Sequence, residues 1–251
     1  MGFLYVTNTD AGIERTLNED NYLVNVVDTS YGEVCLAIVC DGVGGLSHGD
    51  KASSYVVTKM DRWFRSYIKK DIDFTTLVHD VNTEIENINF ELIQMGFEAR
   101  KNLGTTISAI LFIDGNYYTF HIGDTRIYKY ADGLRYLTFD HTVLGAKIMN
   151  GQITEEEARK SKEKNVLLQC VGVTKNLEIH NTNGTYDSED VFLLCSDGQY
   201  NQLNDGEIED VLEAMIDFSQ EEMQETALEL IESVKYRGER DNITSIFIKL
   251  S

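Results

Sequence analysis

Apolar positions along the 251-residue chain follow two periodicities, and segments of each kind are grouped rather than alternated. Short runs rich in β-branched and aromatic residues come first: "FLYVTN", "NYLVNVV" and "EVCLAIVC". Two longer stretches, "KASSYVVTKMDRWFRSYIKK" and "FTTLVHDVNTEIENINFELIQM", carry the helical repeat. In the first, Val56, Met60, Trp63, Phe64 and Tyr67 fall at helical spacing and are expected in the core. The strands "TTISAILFI", "YYTFHI", "TRIYKYA" and "LRYLTF" follow, with "DGN" and "ADG" as tight connections that predict antiparallel hairpins. A polar stretch at about 145–165 contains a short helix, "TEEEARKSK", where Thr154 and Glu157 form a capping box. The strand-like runs "VLLQCVGV" and "LEIHNTN" and the strand "DVFLLCS" come next. Two helices follow, the second capped by Ser219 with Glu222 three residues on, and "ITSIFIKL" is the last strand. The chain has no proline, so glycine and Asn/Asp must mark the turns.

Strands grouped with strands and helices with helices predict an α+β fold. The expected packing is two antiparallel β-sheets face to face as a sandwich, flanked by helix pairs. The chain shows no repeat, low-complexity tract or linker. Its length suits one core, so residues 1–251 are expected to form a single domain.

Composition narrows the function classes. No apolar run reaches the roughly 20 residues of a membrane span, and the N-terminus lacks the pattern of a signal peptide. Forty-two acidic against 22 basic residues give a net charge of −20, which disfavours nucleic acids and anionic membranes. Cys35, Cys40, Cys170 and Cys195 lie in apolar strand-like runs without a C-x-x-C pair. Buried free thiols in a reducing cytoplasm are expected.

The stretch "CDGVGGLSHGDKAS", residues 40–53, admits three chemistries. Gly44 and Gly49 have phosphate-loop spacing, but Asp50 intrudes before Lys51. Gly45-Leu46-Ser47-His48-Gly49 fits G-x-S-x-G, and Asp140 and His180 could complete a hydrolase triad around Ser47. Six residues separate that serine from its strand, which counts against an elbow. The third chemistry is a metal ligand at a strand end. Acidic residues recur at such ends: Asp20, Asp41-Gly42, Asp124, Asp197-Gly198 and Asp241-Asn242. Each Asp-Gly alone is usually a turn. Brought to one rim, these carboxylates would repel unless cations bound, and all-oxygen ligation suits Mg²⁺ or Mn²⁺. No cysteine has an arginine six residues later, as a cysteine phosphatase requires.

The segments "GIERTLNEDN", "CDGVGG", "LGTTISAILF", "HIGDTRIYKY", "LTFDHT", "LLCSDG" and "RDNITSIFI" occur in an order that resembles the metal-dependent PPM/PP2C serine/threonine phosphatases. The likeness is to their compact bacterial branch, and it spans residues 5 to 250. It implies an αββα sandwich with a dinuclear Mn²⁺ or Mg²⁺ centre. Asp41 would bridge both ions, the Gly42 carbonyl would complete one, and Asp197 and Asp241 would hold the other. Glu19 and Asp20 would orient water, Glu19 with a further part as a direct ligand. Asp124 would belong to a weaker third metal site, and Arg15 would grip the substrate phosphate. The alternative for Arg15 is a surface ion pair with Glu14 or Glu19.

The resemblance also implies phosphoprotein substrates, a cognate Ser/Thr kinase, a monomer and a flap at about 145–180. A phosphatase fold kept as a binding module is the competing class, and the intact aspartates favour an enzyme. Two positions depart from the family pattern. Leu46 replaces a histidine, with His48 two residues on, and Asn201 replaces an aspartate four residues after Asp197, which should weaken a third metal site.

Overall fold

Runs that read as uninterruptedly apolar are buried on both faces. In the computed structural model, which describes residues 2–43, 48–69, 72–154, 157–158, 161 and 166–250, the strand Gly32–Cys40 (β3) shows why. Its Val34, Leu36, Ile38 and Cys40 pack towards helices, while Cys35, Ala37 and Val39 pack towards a second sheet. Alternate side chains therefore leave opposite faces into two different cores.

The first two strands are β1 (Phe3–Asp10) and β2 (Asn21–Thr29). After β3 come α1 (Gly49–Tyr67), α2 (Leu77–Ala99), β4 (Ile107–Ile113), β5 (Asn116–Ile122), β6 (Arg126–Tyr130) and β7 (Leu134–Tyr136). The rest are α3 (Val143–Met149), β8 (His180–Thr185), β9 (Val191–Cys195), α4 (Asp197–Tyr200), α5 (Asp205–Met215), α6 (Gln220–Tyr236) and β10 (Ile243–Leu250). Two five-stranded sheets form, in the orders β1-β10-β9-β6-β7 and β2-β3-β4-β5-β8. Every pairing is antiparallel. Phe112, Phe192, Leu194 and Ile246 help fill the space between the sheets. α1 and α2 cover one outer face, and α5 and α6 cover the other. This is the α+β sandwich the patterning predicts.

Pairing register decides where the acidic strand ends meet. Asn21 lies opposite Cys40, and Ile107 opposite Ile122, so Asp20, Asp41 and Gly123 leave one end of their sheet. In the other sheet Cys195 lies opposite both Ser245 and Arg126. Asp124, Asp197 and Asp241 therefore leave the corresponding end. A hydrogen bond from Ser196 Oγ to Asp20 Oδ2, 2.7 Å, ties the two rims together.

Some local expectations are corrected. Trp63 and Tyr67 are half-buried and stack on each other with ring centroids 4.6 Å apart, so they edge the core that Val56, Met60 and Phe64 enter. "VLLQCVGV" is no strand: only isolated bridges join Leu167 to Thr142 and Val171 to Thr105. Cys170 is nevertheless buried, as are the other three cysteines. The stretch read as polar from 145 contains α3, whose N-cap Thr142 accepts from the Gly145 backbone N–H. Capping contacts form in both directions between Thr154 and Glu157 and between Ser219 and Glu222. No helix among the described residues is long and apolar enough to cross a membrane.

Candidate active site

Asp41 sits at the exit of β3, where its backbone is held from three directions. Its N–H donates to Thr106 Oγ1 at 2.9 Å, and its carbonyl accepts from Thr105 Oγ1 at 2.9 Å and the Thr106 N–H at 2.8 Å. Gly42 follows in a crevice, where an added Cβ would lie 2.5 Å from the Gly49 carbonyl oxygen and 2.7 Å from that of Glu19. Only glycine fits there. Gly198 has a similar reason: a Cβ would meet the Asn242 carbonyl oxygen at 2.1 Å. Both Asp-Gly pairs are thus sites of close backbone approach.

The loop before β2 is pinned by Asn242. Its Nδ2 donates to the Ala11 and Leu17 carbonyls, and its Oδ1 accepts from the Glu19 N–H at 2.8 Å. Ser53 Oγ donates to the Glu19 carbonyl at 2.6 Å, joining α1 to the same loop. Patterning singled out none of Thr105, Thr106, Ser196 or Asn242 as positioning groups. The signal was their adjacency to the aspartates in "GTTIS", "CSDG" and "RDNI".

Electrostatics marks this rim as unusual. Burial raises the Asp41 carboxyl well above its ordinary range, and Asp20, Asp197, Asp124 and Asp241 push it further. Asp41 keeps a partly accessible edge, yet the surrounding protein removes much of its hydration. Asp197 is raised in the same way, by burial and then by Asp124 and Asp241. Burial lifts Asp20 to about 6 against the opposing hydrogen bond from Ser196. It lifts Asp124 to about 7, with Asp140 adding repulsion. Asp20, Asp124 and Asp197 are all nearly inaccessible, and Asp20 Oδ1 has no hydrogen-bond partner. Buried, mutually repelling oxygens with an orphaned acceptor are a donor set suited to hard divalent cations. As the side chains lie, no three His, Cys, Asp or Glu among the described residues form a closed cage.

Arg15 meets neither neighbour expected from sequence. Its Nη2 donates to Asp241 Oδ2 at 2.8 Å, while Glu14 pairs with Arg240. Arg15, Asp241 and Asn201 line one cleft of about 380 Å³. Asn201 continues α4, donating its N–H to the Asp197 carbonyl at 2.9 Å. Gly44, Leu46 and Ser47 lie outside the described residues, so the G-x-S-x-G motif and the Leu46 departure have no structural account. Of the triad partners, Asp140 takes a bidentate bond from Arg126 at 2.9 and 2.7 Å. His48 supplies no side-chain cap to α1; its ring Nε2 lies 3.0 Å from Lys101 Nζ.

In this αββα sandwich two strand-end rims bring mutually repelling carboxylates together, with Arg15 paired to one of them, a combination suited to metal ions and phosphate esters. Residues 13–231 match the protein phosphatase 2C family, and the chain belongs to that family. It is 30% identical over 250 residues to the serine/threonine phosphatase stp of Listeria welshimeri, covering 96% of this chain and 93% of that one. The fold matches the S. agalactiae serine/threonine phosphatase with a TM-score of 0.86 at 28% identity, covering all of both chains. It also matches the catalytic domain of serine threonine protein phosphatase PstP in complex with two manganese ions. There the TM-score is 0.77 at 27% identity, covering 98% of this chain and 97% of that one.

Proposed function

We infer that this protein phosphatase hydrolyses phosphoserine and phosphothreonine on proteins, using divalent cations held at the acidic rim. The observation that carries this is the gathering of Asp20, Asp41, Asp197 and Asp241 beside Arg15, with Asp41 and Asp197 pushed up by burial and mutual repulsion. Asp41, the Gly42 carbonyl, Asp197 and Asp241 would hold a pair of Mn²⁺ or Mg²⁺ ions, with Asp41 as the ligand common to both. Such a pair supplies a water acidified to about pKa 7 and neutralises charge on the phosphoryl oxygens. Glu19 and Asp20 would orient the attacking water, and Glu19 would have a further part as a direct ligand. Arg15 binds the phosphate, because a guanidinium matches two of its oxygens at once. Asp124 belongs to a third, weaker site.

The substrates are phosphoproteins made by a Ser/Thr kinase, and the enzyme works as a cytoplasmic monomer. Buried free thiols and the charge of −20 support that setting. Residues 145–180 act as the flap of a single domain.

Assays on p-nitrophenyl phosphate and a phosphothreonine peptide test the chemistry. Activity is expected with Mn²⁺, to vanish with EDTA, and to survive alkylation of the folded protein. Burial pushes the Cys170 thiol up to about 11 and the others higher still, so none offers a reactive thiolate. Loss on alkylation but not with EDTA would sink the proposal.

Arg15→Ala is expected to raise KM for phosphopeptides about tenfold with a small change in kcat, because one charged hydrogen-bonding group is lost from binding. An unchanged KM would remove Arg15 from the phosphate site. Asn201→Asp adds a carboxylate to the wall that also carries Asp124. Calorimetry should then show an additional Mn²⁺ binding event that Asp124→Asn abolishes, since hard cations favour charged oxygen. Identical stoichiometry in wild type and Asn201→Asp would mean that Asn201 is only a turn residue.

A further inference from the structure

Beneath α3 lies a cavity of about 510 Å³ that the chemistry above does not use. Asn201 lines both this cavity and the cleft holding Arg15 and Asp241, and Asp124 lines the cavity. The cavity therefore adjoins, at Asn201, the cleft proposed to take the phosphate. Its volume falls within the range of ligand pockets, roughly 300–1,000 Å³.

The lining indicates what would occupy it. Leu144 and Ile148, one helical turn apart on α3, form the roof, and Phe139, Leu203 and Ile208 add apolar wall beside polar residues such as Thr138 and Asp205. Two of the lining charges, Arg126 and Asp140, are already matched to each other. Arg126 is forked onto Asp140, and its guanidinium carbon lies 3.8 Å from the centre of the Tyr200 ring. Tyr200 in turn donates its hydroxyl to the Asp124 carbonyl at 2.8 Å. A polar occupant would have to break these bonds, whereas an apolar one leaves them intact and covers the aliphatic wall.

We propose that this cavity receives a large apolar side chain of the phosphoprotein substrate, from a residue flanking the phosphorylated one, so that Leu144 and Ile148 set sequence preference. The proposal rests on the phosphatase function above and names the selectivity of that same site. A peptide held by its phosphate at Arg15 presents neighbouring side chains to the adjoining space, and Asn201 is the wall they pass.

Phosphothreonine peptides of equal net charge, with Ala, Leu or Phe placed in turn at each flanking position, test this. At one position Leu or Phe is expected to raise kcat/KM about tenfold over Ala, the discrimination an apolar pocket provides. The ratio should persist at high salt, because apolar contacts are not screened as charges are. Ile148→Trp fills the cavity from a half-buried helix position and should bring the Leu:Ala ratio, measured within that variant, to about one. Leu144→Ser makes the roof polar and should lower the same ratio, so either folded variant is decisive. Equal kcat/KM at every position, or a ratio that survives both substitutions, overturns the proposal. Fluorescence polarisation of the labelled peptides reads the ratios without turnover. If no peptide is hydrolysed yet binding favours Leu and Ile148→Trp erases that preference, the phosphatase function falls and the cavity assignment stands. If all peptides are hydrolysed and bound alike, the cavity assignment falls alone.

Discussion

Asp41→Asn is expected to lose turnover by on the order of a thousandfold or more, and to melt above the wild type when divalent cations are removed. The first effect follows from the proposed role of Asp41 as a ligand of the metal centre. The second follows from what burial and four neighbouring carboxylates do to its charge. An amide has the same shape, carries no charge and leaves the backbone bonds to Thr105 and Thr106 intact. Relieving that cost should raise the melting temperature, by about 2–4 °C for each kcal/mol regained in a chain of this size. Function at this rim is thus bought with stability. Asp197→Asn and Asp241→Asn should also remove most turnover. Thermal melts in EDTA and Mn²⁺-dependent assays on the same preparations check both halves. An Asp41→Asn protein that stays active, or melts below the wild type in EDTA, contradicts this account.

In EDTA the acidic rim is expected to contribute less stability as pH rises from about 4 towards 8, against an opposite contribution from His121, His141 and His180, whose pKa values burial lowers. Burial raises Asp20 to about 6 and Asp124 to about 7, both from 3.8. A carboxyl whose folded pKa exceeds its unfolded value binds its proton more tightly when folded. Its contribution is complete below the unfolded value and disappears as pH climbs through the folded one, here between about 6 and 7. Asp41 and Asp197 are raised in the same direction and add to the loss. Two units at Asp20 alone amount to about 3 kcal/mol, or on the order of 5–10 °C. Mn²⁺ binds the ionised carboxylates, so its stabilisation should grow across the same interval; a hundredfold excess over Kd contributes about 2.7 kcal/mol. Differential scanning fluorimetry from pH 4 to 8, with EDTA and with Mn²⁺, makes the comparison. A larger Mn²⁺ gain at pH 5 than at pH 8 would show the sign to be wrong.

Patterning reveals strands here because most of them are buried on both faces and so read as continuous apolar runs. It fails where burial comes without a ladder. "VLLQCVGV" has the same composition as a strand, but Gly172 turns at φ +90 against the Leu103 carbonyl, and only single bridges form. α3 has only seven residues, too few for helical spacing to stand out against the polar segment around it. The aspartates were legible as a set from their strand-end positions, whereas their meeting depends on register, which pattern alone does not specify. Arg15 illustrates the limit. Its local sequence suggests Glu14 or Glu19 as partners, but its bond is to Asp241, 226 residues away.

If Asp241 holds a cation and Arg15 the phosphate, as proposed, the bond between them links metal uptake and phosphate uptake thermodynamically. A cation drawing on Asp241 and a phosphate drawing on Arg15 would each compete with the same 2.8 Å ion pair. Whichever arrives first frees the other's acceptor or donor. Each ligand then raises the affinity for its companion by one common factor, as reciprocity demands. Without metal, Arg15 Nη2 stays engaged by Asp241, and a phosphate would have to compete for it.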